Sequence, residues 1–215
     1  MNNAAPTERI EFSDRMRIWF RWIIDPLARF FSAIGITPNM MTVLGLAGNF
    51  AAAYYVSQGK MTLGGVLMLV STPFDALDGA MARLRGDAND WGAFVDSVTD
   101  RYGELAILGG LLYYFANEGN GLAAVVTFAA AAGTVLVSYV KARAEAVGFS
   151  AKVGFLTRVE RYLVLAPALT FNLPHVAIWV IALFANFTAL QRIFYVRQQA
   201  HERYRKGSGE NKING

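Results

Sequence analysis

The sequence contains no cysteine. Disulfide bridges and metal sites built on thiolates are therefore excluded. Histidine is also scarce: the chain has two, His175 and His201, and they stand far apart. We interpret both as isolated residues outside any site, because a metal centre needs several ligands together. A metal ion bound by this chain would therefore need oxygen ligands.

Charged residues are sparse as well. They make up 17% of the 215 residues, whereas 54% are hydrophobic. A soluble domain carries about 25% charged residues. The mean hydropathy is positive, at +0.32. This composition predicts an all-α protein embedded in a membrane, with lipids and not nucleic acid around it.

Long apolar runs predict six membrane-crossing helices, each near the ~20 residues that a bilayer requires. Breaks rich in Gly, Asn and Pro separate the runs. The predicted helices cover residues 40–58, 61–84, 91–116, 120–146, 156–172 and 175–197. Residues 37–198 would then form one catalytic domain, between an N-terminal segment, 1–36, and a flexible basic tail, 199–215.

The distribution of positive charge predicts the orientation. Of the 20 Lys and Arg residues, only Lys60 falls in a loop on the side opposite the termini. The positive-inside rule assigns the basic side to the cytoplasm. We therefore expect a plasma-membrane protein with both termini and any site at that side facing the cytoplasm.

An amphipathic helix is predicted before the first crossing, lying in the membrane interface and kinked at Pro26. Its hydrophobic residues recur at helical spacing, and arginines alternate with them. The hydrophobic residues are Met16, Trp19, Phe20, Ile23, Leu27, Phe30 and Phe31. Such a helix either anchors the chain or forms a collar around a site, and the sequence leaves both interpretations open.

Four aspartates interrupt the second and third predicted crossings. Asp75 and Asp78 are three residues apart, and Asp96 and Asp100 are four apart, so each pair shares one helix face. A short loop joins the two helices, which makes them antiparallel. We therefore expect all four carboxylates to meet near the cytoplasmic end.

Four carboxylates in an apolar setting need compensating positive charge. An ionisable residue at the bilayer centre costs about 2.5–3.5 kcal/mol on insertion scales. Arg83 alone cannot balance four negative charges, but two divalent cations can, and oxygen ligands favour Mg²⁺ or Mn²⁺. The alternative is that the acids line a polar vestibule or pair with arginines.

The complete pattern resembles the signature of the CDP-alcohol phosphotransferases. Asp75-x-x-Asp78-Gly79-x-x-Ala82-Arg83, then eight residues, then Gly92-x-x-x-Asp96-x-x-x-Asp100 meets all eight fixed positions of that signature. The resemblance implies that the four aspartates hold two Mg²⁺ or Mn²⁺ ions and that Asp100 is also the general base. It further implies a CDP-linked lipid donor, CDP-diacylglycerol, release of CMP, and a homodimer.

The resemblance also implies a nucleotide-binding set. Small side chains beside the carboxylates would leave room for a flat nucleotide and its pyrophosphate. The set is Thr37, Pro38, Asp78, Gly79, Ala82, Arg83 and Gly92. For Thr37 and Pro38, a plain helix cap is an equally good explanation.

Basic residues on three further helices are expected at the same depth as the carboxylates. They suggest a phosphorylated acceptor held by Arg and Lys, although positive-inside charge and lipid contact would also explain them. The sequence from Ser138 to Gly148, together with Arg158 to Arg161, is similar to that of the phosphatidylinositol-phosphate synthases of actinobacteria. This similarity implies a phosphorylated polyol acceptor, inositol 1-phosphate, held by Ser138, Lys141, Arg158, Arg161 and Arg192.

Two alternatives remain at this point. Glycerol 3-phosphate or another polar alcohol could replace inositol phosphate as the acceptor. An ion-conducting or transport protein could also use an acidic pathway, but it would be expected to place its acids near the bilayer midplane and to show inverted repeats.

Overall fold

The computed structural model describes residues 12–86 and 89–210, with side chains from residue 22 to residue 205. These residues form seven α-helices and, within those ranges, no β-strand. The helices are α1 (Phe12–Ala33), α2 (Pro38–Ser57), α3 (Met61–Arg85), α4 (Asp90–Asn117), α5 (Gly121–Ala146), α6 (Arg158–Thr170) and α7 (Pro174–Glu210). The prediction of an all-α protein is confirmed.

Local signals in the sequence set the starts of the helices. The Thr37 hydroxyl accepts a hydrogen bond from the backbone N–H of Met40, and Pro38 occupies the first turn of α2. Asn89 and Asn120 cap α4 and α5 in the same way. Such caps satisfy backbone N–H groups that have no partner inside the helix. Five of the six predicted crossings consequently agree with α2–α6 to within two residues at each end.

Helices α2 and α3 pack closely and antiparallel. Two glycines of α2 make the approach possible: a Cβ at Gly45 would lie 2.9 Å from Asp75 Oδ1, and one at Gly48 would lie 2.0 Å from Ser71 Oγ. Small residues at such crossings let backbones come together in membrane proteins. The acidic end of α3 is thereby held against the start of α2.

Helix α4 packs on α2 in the parallel direction. Gly103 lies against the side chain of Asn49, and Gly110 lies against the backbone of Ala53. Helix α6 approaches the start of α3, where a Cβ at Gly65 would lie 2.4 Å from the backbone nitrogen of Thr170. Helices α5 and α7 pack together at Gly133 and Asn186. One large apolar cluster joins residues of α2 through α7.

Two helices are long and apolar enough by themselves to cross a membrane: α5 and the Pro174–Arg205 part of α7. The pair Trp22–Ala33 and Pro38–Ser57, bent by 111°, would add a third if counted as one span. Helices α3 and α4 have sufficient length, but their acids lower the hydropathy. Helix α6 has 13 residues, or about 20 Å at 1.5 Å per residue. The described residues therefore carry two or three candidate spans by these criteria.

Helix α1 continues through Pro26 to Ala33 and then turns sharply into α2. It packs on α3 through Ala28, which belongs to a small cluster with Met41, Leu77, Ala80 and Met81. Trp22 is 76% exposed. Three residues of the predicted amphipathic face, Met16, Trp19 and Phe20, lie outside the described side chains.

Helix α7 extends farther than its hydropathy indicates. The sixth crossing was predicted to end at residue 197, followed by a flexible tail. The structure continues the helix to Glu210. Residues 211–215 of the predicted tail lie outside the described range.

A pair of neighbouring glycines tests the close packing of α2 and α4. A Cβ at Gly110 would lie 2.4 Å from the carbonyl oxygen of Ala53, whereas one at Gly109 meets nothing within 4 Å. We expect Gly110→Ala to destabilise the protein by about 1–3 kcal/mol through overpacking. Gly109→Ala should be neutral or stabilising by up to about 1 kcal/mol, because Ala is the better helix former. Thermal unfolding in detergent checks both, and equal midpoints would contradict this packing.

Candidate active site

The four aspartates gather where α3 ends and α4 begins. Asp78 and Asp100 are buried, at 5% and 8% exposure. Asp75 and Asp96 are half-buried. Asp96 interacts electrostatically with each of the other three. The structure thus brings the four carboxylates within electrostatic range of one another, two on α3 and two on α4.

Arg158 joins the two acidic helices. Its Nη2 atom donates to Asp75 Oδ2 on α3, and its Nη1 atom contacts Asp100 Oδ2 on α4. Arg158 is the first residue of α6, so three helices meet at one guanidinium. The planar fork of arginine suits two carboxylates at once. Arg158, expected among the acceptor residues, thus lies directly at the carboxylates.

Asp78 has a different partner. Its Oδ2 atom accepts a hydrogen bond of 2.6 Å from the Thr42 hydroxyl on α2. The same hydroxyl lies 3.2 Å from the carbonyl oxygen of Pro38. Thr42 was not predicted as a site residue. The sequence did contain a signal for it: Thr42 is a polar residue one turn after the Thr37-Pro38 cap, on the same side of α2.

The donor atoms of this cluster are all oxygens of the kind that Mg²⁺ and Mn²⁺ prefer. Among the described residues, however, no group of three or more His, Asp or Glu side chains is arranged to hold a metal ion. Asp75 and Asp100 bind Arg158 instead, and Asp78 binds Thr42. The ligand chemistry therefore fits divalent cations, while in this conformation Arg158 offsets part of the negative charge, at Asp75 and Asp100.

Open space lies beside the carboxylates at the positions expected to face the nucleotide. A Cβ at Gly79 would meet only Arg83 Nη1, at 3.4 Å, and one at Gly92 would meet only Asn89 Oδ1, at 3.5 Å. Ala82 is half-buried and Arg83 is exposed. At Gly45 and Gly48, by contrast, the neighbouring helix α3 occupies the space that a Cβ would take. The space beside Gly79 and Gly92 is therefore open, and its use by a nucleotide stays a prediction.

The remaining predicted acceptor residues divide into two groups. Ser138 and Lys141 are half-buried near the end of α5, on the side of the bundle where α6 begins. Arg161 and Arg192 are 1% and 3% exposed. Arg192 donates to the carbonyl oxygens of Val137 and Val153. The structure thus uses donors of Arg192 to join α5 and the α5–α6 loop to α7.

Arg161 forms a buried ion pair with Glu104 of α4. Its Nε and Nη2 atoms donate to the two carboxylate oxygens at 2.6 and 2.9 Å, and Nη1 donates to the carbonyl oxygen of Leu156. All three nitrogens are engaged inside the protein. Glu104 was missed by the sequence reasoning, although it continues the four-residue spacing of Gly92, Asp96 and Asp100 along one face of α4.

A sequence model of the CDP-alcohol phosphatidyltransferase family matches residues 35–195, which contain every residue of the carboxylate cluster. The chain belongs to this family. Family membership favours a transferase over the ion-transport alternative. The phosphatidylinositol phosphate synthase of Streptomyces avermitilis is 34% identical, and the match covers 93% of this chain and 88% of that protein.

Solved structures of another family member have the same fold. The phosphatidylinositol phosphate synthase of Mycobacterium tuberculosis, crystallised with CDP-DAG bound, has a TM-score of 0.76 and 31% sequence identity to this chain. That match covers 81% of this chain and 94% of the other. A second structure of the same enzyme, in complex with manganese and citrate, has a TM-score of 0.75 and 31% identity, over 80% of this chain and 88% of that one.

The burial of the Glu104–Arg161 ion pair leads to a prediction about stability. Removing one member of a buried ion pair strands the other charge and costs about 3–5 kcal/mol, whereas replacing both by apolar residues is often neutral. We expect Glu104→Leu and Arg161→Leu each to lower the unfolding midpoint strongly, and the double variant to recover most of the loss. Thermal unfolding of all four proteins measures the coupling. Additive losses would show that the pair is not a unit.

Proposed function

We propose that this chain transfers the phosphatidyl group of CDP-diacylglycerol to inositol 1-phosphate, releasing CMP and forming phosphatidylinositol phosphate. The observation that carries the proposal is the convergence of Asp75 and Asp100, from two helices, on Arg158 within the segment that matches the family. Relatives named phosphatidylinositol phosphate synthase and a relative with CDP-DAG bound support this donor and product.

The proposed setting is the plasma membrane, with α2 through α7 as six spans and α1 in the cytoplasmic interface. Successive spans must run in opposite directions, and the antiparallel α2–α3 packing and the parallel α2–α4 packing support this arrangement. The helix ends that gather at the aspartates are also the helix ends that carry the Lys and Arg residues. The exposed Trp22 on α1 is the kind of aromatic side chain found at membrane surfaces. We further propose a homodimer, as the family resemblance implies.

We propose that Asp75, Asp78, Asp96 and Asp100 hold two divalent cations, Mg²⁺ or Mn²⁺. The M. tuberculosis relative in complex with manganese supports this assignment. Such ions would neutralise the pyrophosphate of the donor and the departing CMP. The nucleotide would lie along the open face at Gly79, Ala82 and Gly92, with Thr37, Pro38, Asp78 and Arg83 completing its surroundings.

Asp100 is the proposed general base. It would take the proton of the acceptor hydroxyl as that oxygen forms a bond to the β-phosphorus of the donor. The bond between this phosphorus and the oxygen of the CMP leaving group breaks. Burial of Asp100 at 8% exposure keeps bulk water from its carboxylate. Arg158, already in contact with Asp100, stabilises its negative charge before the acceptor arrives.

The acceptor phosphate would be held by Ser138, Lys141 and Arg158. A phosphate offers arginine the same two-oxygen pattern as a carboxylate, so Arg158 can exchange one aspartate for the acceptor. Arg161 and Arg192 shape the pocket, since most of their donors bind within the protein. Their contribution to acceptor binding would therefore pass through Arg158 and the loop before it.

The reaction itself is tested by CMP release from CDP-diacylglycerol in detergent. We expect release that depends on Mg²⁺ or Mn²⁺, that stops with a chelator, and that is greatest with inositol 1-phosphate among the acceptors offered. Glycerol 3-phosphate, free inositol and serine are the comparison acceptors. A preference for glycerol 3-phosphate would reassign the acceptor, and no CMP with any of them would refute the transferase.

The role of Asp100 is tested by Asp100→Asn against Asp90→Asn. Both substitutions remove one carboxylate from α4, but Asp90 is exposed in its first turn. General-base catalysis contributes about 10²–10⁴-fold, so we expect Asp100→Asn to lower kcat by at least about a hundredfold. Binding of the CDP nucleotide should remain measurable. Normal turnover in this variant would remove Asp100 as the base.

A further inference from the structure

The loop between α5 and α6, residues 147–157, lies along the second half of α7. Four side chains of α7 hold it. Thr188 Oγ1 accepts from the backbone N–H of Leu156, at 3.3 Å, and Arg192 Nε donates to the carbonyl oxygen of Val153, at 2.8 Å. These contacts occur along the part of α7 that precedes residue 197, the predicted end of the crossing.

Farther along α7 the contacts continue beyond that point. Gln199 forms two hydrogen bonds with the backbone of Ser150: its Oε1 accepts from the N–H at 3.1 Å, and its Nε2 donates to the carbonyl at 2.6 Å. Arg203 donates to the carbonyl oxygen of Gly148 at 2.6 Å. Its guanidinium also lies 4.2 Å from the centre of the Phe149 ring.

These four contacts form an ordered ladder. The α7 residues are separated by four, seven and four positions, which places them on one helix face. Their partners run in the reverse order along the loop, so the loop and helix are antiparallel. Gly154 permits the closest approach: it has φ +141°, and a Cβ there would lie 2.4 Å from Thr188 Cγ2. The loop is therefore fixed by side chains spread over the whole ladder.

The loop connects the two elements that the proposed acceptor pocket uses. Its first end continues α5, which carries Ser138 and Lys141. Its second end leads directly into Arg158, whose guanidinium contacts Asp75 and Asp100. Displacement of the loop would therefore shift the side chains of Lys141 and Arg158 relative to the carboxylates. Helices α3 and α4 would stay in place.

We propose that Gln199 and Arg203 are positioning residues for the acceptor, acting through the loop and Arg158. The inference rests on the proposed function, since the acceptor pocket belongs to it. In the proposed function the donor lies against α2, α3 and α4, which the ladder does not touch. Loss of the Gln199 and Arg203 contacts should therefore weaken acceptor binding more than donor binding. The part of α7 beyond residue 197 would then contribute to acceptor binding.

The chain offers a matched control for each residue. Gln198 is exposed and points about 100° away from Gln199 around the helix. Arg205 is exposed one half-turn after Arg203 and carries the same charge. The pairs to compare are Gln199→Ala with Gln198→Ala, and Arg203→Ala with Arg205→Ala. Arg203→Lys, which keeps the charge and a donor, serves as the conservative variant.

We expect Gln199→Ala to raise the acceptor KM by about tenfold, because it removes two hydrogen bonds. Its donor KM and kcat should stay close to those of the Gln198→Ala protein. Arg203→Ala should also raise the acceptor KM, Arg205→Ala should not, and Arg203→Lys should restore part of the loss. Hydrogen exchange of the full-length protein should show faster exchange in residues 148–156 for the two ladder variants alone.

The possible outcomes separate this inference from the proposed function. If the unmodified protein releases no CMP with any acceptor, the proposed function fails and the acceptor role of the ladder fails with it. If the unmodified protein is active and Gln199→Ala equals Gln198→Ala in acceptor KM, the inference alone is overturned. An equal rise in donor and acceptor KM would also overturn it, because that result indicates general damage.

Discussion

Negative charge buried where α2, α3, α4 and α6 meet is the constraint around which this structure is organised. Asp78 and Asp100 are nearly inaccessible, and each buried carboxylate needs a partner to offset the loss of water. The chain supplies one from each neighbouring helix: Thr42 from α2 and Arg158 from α6. In the proposed function the same arginine donors would also recognise a phosphate, because guanidinium binds both anions in the same way.

Close helix packing is what allows these partners to reach the acids. Gly45 and Gly48 bring α2 against α3, so the Thr42 hydroxyl lies within hydrogen-bond distance of Asp78. Gly65 brings α6 against α3, and the Glu104–Arg161 pair joins α6 to α4. Arg158 is one helical turn before Arg161. The buried ion pair therefore fixes the direction in which α6 presents Arg158 to the carboxylates.

The sequence predicted what depends on short spacing and on hydropathy. The positions of the four aspartates follow from helical periodicity, and the bounds of α2 through α6 follow from caps and breaks. Partners distant in the chain could not be predicted: Thr42 with Asp78, and Glu104 with Arg161. Arg161 and Arg192 were expected to face a ligand, but a basic residue gives no sign of whether an acid or a carbonyl elsewhere will bind it. The end of α7 was also missed, because hydropathy falls at residue 197 while hydrogen bonds to the α5–α6 loop favour a longer helix.

The shortness of α6 has a consequence for how the two substrates would meet. In the proposed six-span arrangement, a helix of about 20 Å cannot reach across a hydrocarbon layer of about 30 Å. If its far end lies at the opposite face, Arg158 is recessed several ångströms beneath the cytoplasmic surface. A water-soluble sugar phosphate would have to descend through a hydrated funnel, whereas a lipid donor could slide in sideways between helices. Transfer would then take place several ångströms below the plane of the lipid head groups.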